Sequence, residues 1–465
     1  MIVMKFGGSS VESATALERV AGIIGRYVDR KPVVVVSAMG KTTNRLLAIG
    51  AEAAAGRSEK VQQALQELKQ YHLDESRPVV RSEDVPELER EVNGLFVKLG
   101  AELDAVAAAG EMKPRHIDAV SSFGERLSSC ILTLVLKRSG MNSEHIDSRD
   151  VIITDGRHTQ ALPLFNKTYP LLAERVAPLA SDGKVVVMGG FIASTTDGIT
   201  TTLGRGGSDF TASIVGAGIG AEEIQIWTDV DGMLTCDPRI LSGGHRVKVI
   251  SFAEAAELAY FGAKVLHPYT VMPAIEKNIP VLILNSRRPD QEGTRIISET
   301  VPCTNPVKSI ACKRNITVMN IRSARMLMAY GFLRKIFDVF DRYRTPVDVV
   351  ATSEVSVSLT VDSCEHVEVI AEELRQIAEV SIEKDQAIIC LVGDKMSSTP
   401  GIAARVFGSL RDINVRMISQ GASSLNLTLV VDSTDLGDAI QRLHDEFFSE
   451  LDPAVFESCS RMQAV

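Results

Sequence analysis

Short runs of β-branched residues alternate with helical patterns along residues 1–300, and this alternation restricts the folds open to the chain. The runs lie at 2–4, 33–36, 117–120, 151–153, 185–187, 224–226 and 281–284. Continuous apolar runs of this length are typical of strands buried on both faces of a sheet. Between two of these runs, Leu17, Val20 and Ile24 have the spacing of one apolar face of a helix. The alternation predicts an α/β fold whose largely parallel central sheet is flanked by helices.

Two segments depart from this alternation. Residues 52–115 are rich in Glu, Lys and Gln at helical spacing, which predicts a helical excursion from the sheet. Near Pro302 and Pro306 the pattern breaks, and we expect a linker there after a first domain of residues 1–300.

The remaining residues contain an internal repeat. Segments that start at Gly331 and Gly401 have equal length, and identical residues recur between them at an offset of 70 residues. Each copy predicts a strand, a helix led by glycine, and two further strands. We therefore expect two α+β domains, at 310–385 and 386–465, and the last strand of the chain is a candidate for completing the first of them.

Composition argues against several classes of function. The net charge of −9 and the pI of about 5.5 give no electrostatic support for binding nucleic acid or an anionic membrane. No apolar run reaches membrane-spanning length and the N-terminus lacks a leader pattern, so we expect a cytoplasmic protein. Seven scattered cysteines without a C-x-x-C pair are typical of reduced thiols, and we expect no dedicated metal site.

Polar loops follow several of the predicted strands. They lie at 5–9, 37–43, 123–126, 189–191 and 228–232. The carboxyl ends of parallel strands share one edge of a sheet, where α/β proteins bind their ligands, so these loops should converge. A single glycine pair also fits a plain strand–helix turn, but several such loops on different strands favour a binding site.

The loop residues themselves favour phosphate chemistry. In "KFGGSS", Lys5 precedes its glycines, so the segment is not a P-loop. Glycine lets backbone N–H groups approach an anion closely, and the charge of Lys5 suits a phosphoryl group in transfer. Glycines also frame Arg205, which predicts a bidentate grip on a substrate carboxylate. Asp209 is either a helix N-cap or a partner that orients Lys5.

The absence of several catalytic motifs limits the classes of reaction that the predicted site could catalyse. The sequence has no Ser/His/Asp or Cys/His signature and no H-E-x-x-H. The predicted site therefore holds cations and N–H donors with little general base. A carboxylate acceptor needs no base because it is already ionised at pH 7, which favours a kinase that forms an acyl phosphate.

Seven segments together resemble aspartate kinase, within the amino-acid-kinase superfamily. They are "KFGGSS", "VVVVSAMGKTTN", "SSFGERLSS", "GGFIA", "TTLGRGGSDFTA", "WTDVDGMLTCDPR" and "YFGAKVLHP". The resemblance covers nearly the whole chain, with the repeat as a tandem pair of ACT domains. It implies transfer of the ATP γ-phosphate to the β-carboxylate of L-aspartate, the first step of lysine, threonine and methionine synthesis, with Mg²⁺ bridging the ATP phosphates.

The resemblance also implies roles for individual residues. Lys5 is expected to stabilise the transferring phosphoryl group, and Asp209 to organise Lys5. The phosphate path is expected to include Gly7, Gly8 and Ser37. Aspartate is expected to contact Thr43, Glu125 and Arg205, with Arg205 on the α-carboxylate. The nucleotide positions are Thr228, Asp229, Arg239 and Lys264.

The repeat resembles that of the monofunctional, lysine-inhibited aspartate kinases, which implies feedback inhibition by an amino acid. L-Lysine is the expected effector, with threonine or a co-effector as the open alternatives. The expected effector positions are Met326, Gly331, Phe332, Leu333, Val347, Asp348, Ser353 and Glu354. Asp348 is the expected partner of the effector ammonium, and a homodimer or homotetramer through the ACT domains is expected.

Two other functions fit parts of the sequence. One is another acyl-phosphate kinase of the glutamate kinase type, against which the tandem repeat argues. The other is a non-catalytic amino-acid sensor, against which the presence of Lys5, Arg205 and Asp209 argues.

Overall fold

The computed structural model describes residues 1–262, 267–326, 330–362 and 365–457. The chain falls into two compact units. The first comprises Met1–Gly232 and Val265–Ser298, and the second comprises Met233–Lys264 and Glu299–Val465. The predicted domain limits at 300 and 385 stay predictions.

The first unit is built on a mostly parallel sheet. In spatial order its strands are Thr294–Ile297, Val281–Asn285, Glu223–Thr228, Ile2–Phe6, Pro32–Val36, Val185–Gly189 and Ser143–Ile146. The strand Thr294–Ile297 is antiparallel to its neighbour, and the other pairings between these strands are parallel. The structure thus confirms the predicted α/β fold and brings the carboxyl ends of the parallel strands to one edge.

A small sheet and several helices complete the first unit. The small sheet contains Ile153–Thr154, Ile192–Thr195 and Thr200–Thr202. The α-helices are Ala14–Gly25, Thr42–Ala54, Ser58–Ser76, Val85–Ala109, Pro114–Ser121, Phe123–Arg138, Phe165–Arg175, Ala177–Ser181, Gly207–Ile219 and Met272–Glu276. Short 3₁₀ turns lie at Gly8–Ser10, Val28–Arg30, Arg77–Val79, Ser82–Asp84, Ser148–Asp150 and Pro268–Val271.

One hydrophobic cluster of this unit lies between the central strands and the helices on one face of the sheet. Phe6 stacks on Trp227 with ring centroids 6.0 Å apart, and both residues are buried. Leu17 and Ile24 of the helix Ala14–Gly25 belong to the same hydrophobic cluster. Each fully buried side chain of this size contributes about 1.5–3 kcal/mol to burial free energy. This packing fixes the strand that carries Lys5.

The predicted strand at 117–120 is wrong, because these residues lie in the helix Pro114–Ser121. A proline at the first helical position favours this outcome, and Asp118 and Ser121 interrupt the apolar run. The predicted loop at 123–126 is likewise the first turn of the helix Phe123–Arg138. At 151–153 the strand is shorter than predicted and begins only at Ile153.

The helical excursion is confirmed by the helices Ser58–Ser76 and Val85–Ala109. Among the described residues, one stretch, Pro114–Arg138, passes a length and composition test for a membrane span. Buried positions make up 83% of its apolar window, and the core helix of a globular protein passes the same test.

The second unit contains a six-stranded antiparallel sheet. In spatial order its strands are Val347–Thr352, Ser356–Asp362, Ser309–Arg322, Glu379–Val392, Asn426–Asp432 and Val415–Gln420. The first strands of the two repeats, Ser309–Arg322 and Glu379–Val392, pair with each other at the centre. The two copies therefore share one continuous sheet, and the predicted α+β repeat is confirmed.

Helices cover the sheet of the second unit. They are Phe332–Arg342, Val367–Leu374, Ile402–Ser409 and Leu436–Phe448. Gly331 and Gly401 cap the first helix of each repeat with φ of 75° and 80°, in the left-handed region that glycine adopts without a Cβ penalty. This requirement explains why glycine recurs at that repeat position.

Residues 233–262 belong to the second unit although they precede the predicted linker. Their strands are Met233–Leu234, Arg246–Val247 and Val249–Ser251, and their helix is Phe252–Tyr260. Phe456–Glu457, the last strand among the described residues, pairs with Arg246–Val247 and not with a strand of the first repeat, so it does not complete the first α+β domain as the sequence suggested. The buried ion pair between Lys308 and Glu254, at 2.8 Å, fixes the helix Phe252–Tyr260 to the rest of this unit.

Candidate active site

Four of the five predicted loop segments, 5–9, 37–43, 123–126 and 189–191, contribute to one cleft of about 310 Å³, and the segment 228–232 is not among its lining residues. Its lining residues are Lys5, Gly8, Ser37, Ala38, Gly40, Thr43, Glu125, Phe191, Gly204, Gly206, Gly207, Ser208 and Asp209. The size is that of a small-molecule site. Six residues selected from the sequence share this cleft, namely Lys5, Gly8, Ser37, Thr43, Glu125 and Asp209.

Lys5 and Asp209 form an ion pair in the cleft. Lys5 lies on the strand Ile2–Phe6 and is 8% exposed. Its Nζ lies 2.7 Å from Oδ1 of Asp209, which stands in the first turn of the helix Gly207–Ile219. Strand and helix are both rigid elements, so the ammonium is held at a defined place in the cleft.

Gly8 allows the first two strand loops to approach each other. A Cβ at this position would lie 2.8 Å from the Ala38 carbonyl oxygen and 3.0 Å from that of Gly40. The Gly40 N–H donates to the Gly8 carbonyl at 3.0 Å, and Gly40 has φ of 52°. Any side chain at Gly8 would therefore separate the loops that carry Lys5 and Ser37.

Gly7 has a looser environment. Its N–H donates to the Trp227 carbonyl at 3.2 Å, and a Cβ there would meet nothing nearer than 3.8 Å. Gly7 is not among the cleft-lining residues, but the Lys5 Nζ is one of the two atoms 3.8 Å from the position of that Cβ. The structure therefore places Gly7 beside the cleft.

Two helix N-termini face the cleft residues. The helix Gly207–Ile219 begins after Gly206, whose φ is 71°. The cleft-lining residue Thr43 lies in the first turn of the helix Thr42–Ala54. First-turn N–H groups lack helical partners and carry the positive end of the helix dipole, so both ends favour an anion.

Arg205 lies between two cleft-lining glycines with its side chain exposed. In the part of the chain that the structure describes, no acidic side chain forms an ion pair with Arg205. Its flanking residues Gly204 and Gly206 both have positive φ, of 75° and 71°. The guanidinium is therefore available to an external carboxylate, while the backbone around it is tightly determined.

Glu125 is a buried carboxyl group in the cleft. Burial raises its pKa to about 8, and backbone hydrogen bonds from Ala38 and from its own amide oppose the shift. Its Oε2 has no hydrogen-bond partner among the described residues. A buried acceptor without a partner is costly, so Glu125 is suited to receive a donor from a ligand, such as an ammonium group.

The nucleotide positions are spread over both units. Thr228 ends the strand Glu223–Thr228, and its hydroxyl donates to the exposed Asp229 at 3.3 Å. Arg239 belongs to the second unit, where its guanidinium binds Asp237 at 2.6 Å. Lys264 lies outside the described residues. Thr228 and Asp229 are the described nucleotide positions of the first unit.

The effector positions all lie in the first repeat. Phe332 is part of its hydrophobic cluster, against which Met326 and Val347 pack. Gly331, Phe332 and Leu333 form the start of the helix Phe332–Arg342. Ser353 and Glu354 lie in the turn between two strands, where the Ser353 hydroxyl contacts that of Ser356 at 2.7 Å.

Asp348 has a partner within the protein. Its two carboxylate oxygens each lie 2.9 Å from Nζ of Lys313. Lys313 also contacts Asp362 at 2.8 Å. A ligand ammonium that uses Asp348 must therefore replace or share Lys313, which the sequence did not indicate.

Sequence reasoning also missed cleft residues that follow glycine pairs. Phe191 follows Gly190 and has φ of 64°, and Ser208 follows Gly207. A Cβ on Gly190 would lie 2.6 Å from the Ser208 Cβ, so these loops touch directly. The adjacent glycine pairs were the signal that could have identified Phe191 and Ser208.

This arrangement suits transfer of an anionic group to an acidic acceptor. Lys5 and two helix N-termini supply positive charge and N–H donors, while Arg205 and Glu125 can hold a substrate with both a carboxylate and an ammonium. No group of three or more His, Cys, Asp or Glu side chains is placed to hold a metal ion within the described residues.

Comparisons with known proteins agree with this chemistry. Residues 1–285 match the amino acid kinase family and residues 389–447 match the ACT domain. Aspartokinase 2, chloroplastic, from Arabidopsis thaliana is 39% identical over 469 residues, which cover 97% of this chain and 85% of the plant protein.

Two crystal structures of Escherichia coli aspartokinase III are also similar. The T-state complex with lysine and aspartate has a TM-score of 0.83 and 34% identity, and covers 96% of this chain and 99% of that chain. The R-state complex with aspartate and ADP has a TM-score of 0.80 and 34% identity, and the match covers 96% of this chain and 100% of that chain. These matches confirm the resemblance, and the chain belongs to the aspartokinases of the amino acid kinase family.

Proposed function

We propose that this chain transfers the γ-phosphoryl group of ATP to the β-carboxylate of L-aspartate. The observation that carries the proposal is the ion pair between Lys5 and Asp209 inside a cleft made of glycine loops and helix N-termini. The similar Escherichia coli enzyme binds aspartate and ADP, which supports the choice of substrates.

The reaction needs no proton transfer at its central step. A β-carboxylate oxygen forms a bond to the γ-phosphorus while the bond from that phosphorus to the β–γ bridging oxygen breaks, and ADP leaves with the electron pair. The acceptor is already ionised at pH 7, so the lack of a general base in the site is no obstacle.

The residues selected from the sequence have separate roles in this scheme. Lys5 balances the charge that spreads over the phosphoryl oxygens, and Asp209 holds Lys5 in place. Gly7, Gly8 and Ser37 leave room and donors for the phosphates. These five residues form the phosphate side of the site.

The opposite side of the site holds aspartate. Arg205 takes the α-carboxylate and Glu125 takes the α-ammonium, with Thr43 beside them. An ion pair to the α-carboxylate, and a contact of the α-ammonium with Glu125 that favours the ionised form of this buried carboxyl, fix the β-carboxylate toward the γ-phosphate.

The nucleotide and its metal complete the proposal. Thr228, Asp229, Arg239 and Lys264 are the proposed nucleotide contacts. Mg²⁺, which neutralises phosphate charge when bound, would be held mainly by ATP and water, since Asp209 is paired with Lys5 and the described residues hold no acidic cluster.

Regulation is proposed to lie in the second unit. The catalytic domain is residues 1–300, and the ACT domains are 310–385 and 386–465. L-Lysine is the proposed effector, because the similar enzyme binds lysine. Its proposed contacts are Met326, Gly331, Phe332, Leu333, Val347, Asp348, Ser353 and Glu354.

Assembly and location are also proposals. Exposed Val350 and Ile418 lie on the outer strands of the six-stranded sheet, and exposed apolar edge strands favour pairing with a second copy. We therefore propose a homo-oligomer. Cys130, Cys236, Cys303, Cys312 and Cys390 are free thiols, which suits a reducing cytoplasm.

A hydroxamate assay tests the proposal. The protein is given ATP-Mg²⁺ and hydroxylamine with either L-aspartate or L-glutamate, with and without L-lysine in the millimolar range, about the weak end of small-ligand affinity. We expect aspartyl hydroxamate that decreases when lysine is added. Product from glutamate alone would favour the glutamate kinase type, and no product from either acid would favour a non-catalytic sensor.

A further inference from the structure

A buried carboxylate outside the cleft is tied to the loop that carries Arg205. Asp118 is completely buried in the helix Pro114–Ser121. Its oxygens accept from the Thr202 hydroxyl at 2.5 Å and from the Thr159 N–H at 3.0 and 3.1 Å, and they contact His158 Nδ1 at 2.7 Å. A buried carboxylate with several hydrogen-bond partners restricts the conformation of each segment that contributes a partner.

The three partner residues come from two segments that meet beside Arg205. Thr202 ends the strand Thr200–Thr202, three residues before Arg205. His158 and Thr159 belong to the loop after Ile153–Thr154, and Thr159 has φ of 70°, a conformation that is costly for threonine. The hydrogen bonds to Asp118 hold Thr159 in that conformation.

The Thr159 loop is in turn packed against the turn that carries Arg205. A Cβ on Gly204 would lie 3.0 Å from the Thr159 carbonyl oxygen and 3.3 Å from Gln160 Cγ. The Ala161 N–H donates to the Thr202 carbonyl at 2.9 Å, and the Gly207 N–H closes the turn on the Gly204 carbonyl at 3.0 Å. The Thr159 loop therefore contacts the backbone of Thr202 and Gly204, directly before Arg205, while Phe191 contacts the same turn through Leu203 and Gly207.

No acidic side chain in the described parts of the chain holds the guanidinium of Arg205. The Arg205 side chain is exposed, so the position of its guanidinium depends on the backbone that carries it. We propose that the network of Asp118 with Thr202, His158 and Thr159 is a positioning device for Arg205 and thereby sets the affinity for the amino-acid substrate. This inference rests on the proposed role of Arg205 in binding aspartate.

The network is distinct from the phosphate side of the site. Asp118 contacts neither Lys5 nor Asp209, whose ion pair is formed by other elements. Loss of the network should therefore weaken aspartate binding while the KM for ATP stays unchanged. A role in overall stability alone would affect both substrates alike.

The first test is Thr202→Val, which removes one donor without a change of side-chain shape. We expect the KM for aspartate to rise about tenfold, the ratio that corresponds to one hydrogen bond to a charged group, with the KM for ATP within about twofold. The matched control is Thr201→Val, because the Thr201 hydroxyl contacts Thr154 at 2.7 Å and not Asp118. Thr202→Ser should restore the KM for aspartate.

A double-mutant cycle with Arg205→Ala completes the test. If the network acts through Arg205, Thr202→Val adds no further rise in the KM for aspartate once Arg205 is absent. His158→Ala, at a partly exposed position, is the second variant if Thr202→Val does not fold, and it should raise the same KM by a smaller factor.

Two results would overturn the inference: equal changes in both KM values, or additive effects of Thr202→Val and Arg205→Ala. Failure of the unmodified protein to phosphorylate aspartate would instead overturn the proposed function, so the two failures are distinguishable.

Discussion

Among single residues, Lys5 and Asp209 are expected to contribute most to the phosphoryl transfer step. Lys5→Met removes the cation that faces the transferring group, and we expect kcat to fall at least about 10³-fold while the KM for aspartate changes little. Asp209→Asn leaves the cation but loosens its position, and we expect a loss of about 10²-fold. Steady-state kinetics with circular dichroism as a folding check measures both effects.

Lys60→Met is the matched control for Lys5→Met, because Lys60 is exposed on the helix Ser58–Ser76. A folded Lys5→Met variant with nearly normal kcat would remove Lys5 from the mechanism.

Glu125 gives a residue-level prediction about pH. Burial raises its pKa to about 8 from the usual 4.5, so between these values the folded protein holds a proton that the unfolded chain has lost. The stability that this group contributes therefore falls as the pH rises from about 4.5 through 8. Glu125→Gln keeps the shape of the side chain and removes its titratable carboxyl group.

We expect the Tm of Glu125→Gln, measured against that of the unmodified protein, to increase steadily between pH 5 and pH 8.5, values chosen to span about that pKa window. Glu59→Gln, at an exposed position in the helix Ser58–Ser76, should show no such trend. A Tm difference for Glu125→Gln that is independent of pH would show that this carboxyl does not titrate as the burial implies.

At the level of elements, the two glycines after the first strand have different structural demands. A Cβ on Gly8 would press on two backbone carbonyls at 2.8 and 3.0 Å, whereas one on Gly7 would meet nothing nearer than 3.8 Å. We expect Gly8→Ala to cost about 1–3 kcal/mol of unfolding free energy and Gly7→Ala less than about 1 kcal/mol. Thermal or urea unfolding of the pair measures the difference, and equal losses would contradict the close approach of the two loops.

The strand Ser309–Arg322 carries the second prediction at this level. Lys313 already occupies the carboxylate of Asp348, so in this protein the proposed effector must compete with an internal ammonium. Lys313→Met should therefore make inhibition by L-lysine more sensitive, with the half-inhibitory concentration reduced about tenfold, the equivalent of 1.4 kcal/mol.

Arg314→Met is the matched control, since Arg314 is the exposed neighbour on the same strand. A half-inhibitory concentration that is unchanged or higher in Lys313→Met would place the effector ammonium away from Asp348.

For the whole molecule, the sequence predicted the architecture because parallel strands buried on both faces leave continuous apolar runs. The runs at 33–36 and 281–284 became central strands in this way. The run at 117–120 failed because two apolar residues three apart fit a helical face as well as a strand, and Pro114 starts a helix.

The candidate site was partly predictable for a different reason. Loops at the ends of parallel strands must meet, so Lys5 and Asp209 could be expected in one cleft although they are distant in sequence. The contacts of Asp118 and Lys313 depend on which residues tertiary packing places opposite them, and a single sequence holds no signal for such pairs.

The most direct test of the central claim follows an oxygen atom through the reaction. L-Aspartate with ¹⁸O in its β-carboxylate is incubated with the protein, ATP-Mg²⁺ and hydroxylamine, and the released phosphate is examined by ³¹P NMR. If the carboxylate attacks the γ-phosphorus, hydroxylamine cleaves the acyl phosphate at carbon and the phosphate carries one ¹⁸O atom. Unlabelled phosphate would mean that water is the acceptor, and would contradict the assignment of this cleft as the site of an aspartate-phosphorylating kinase.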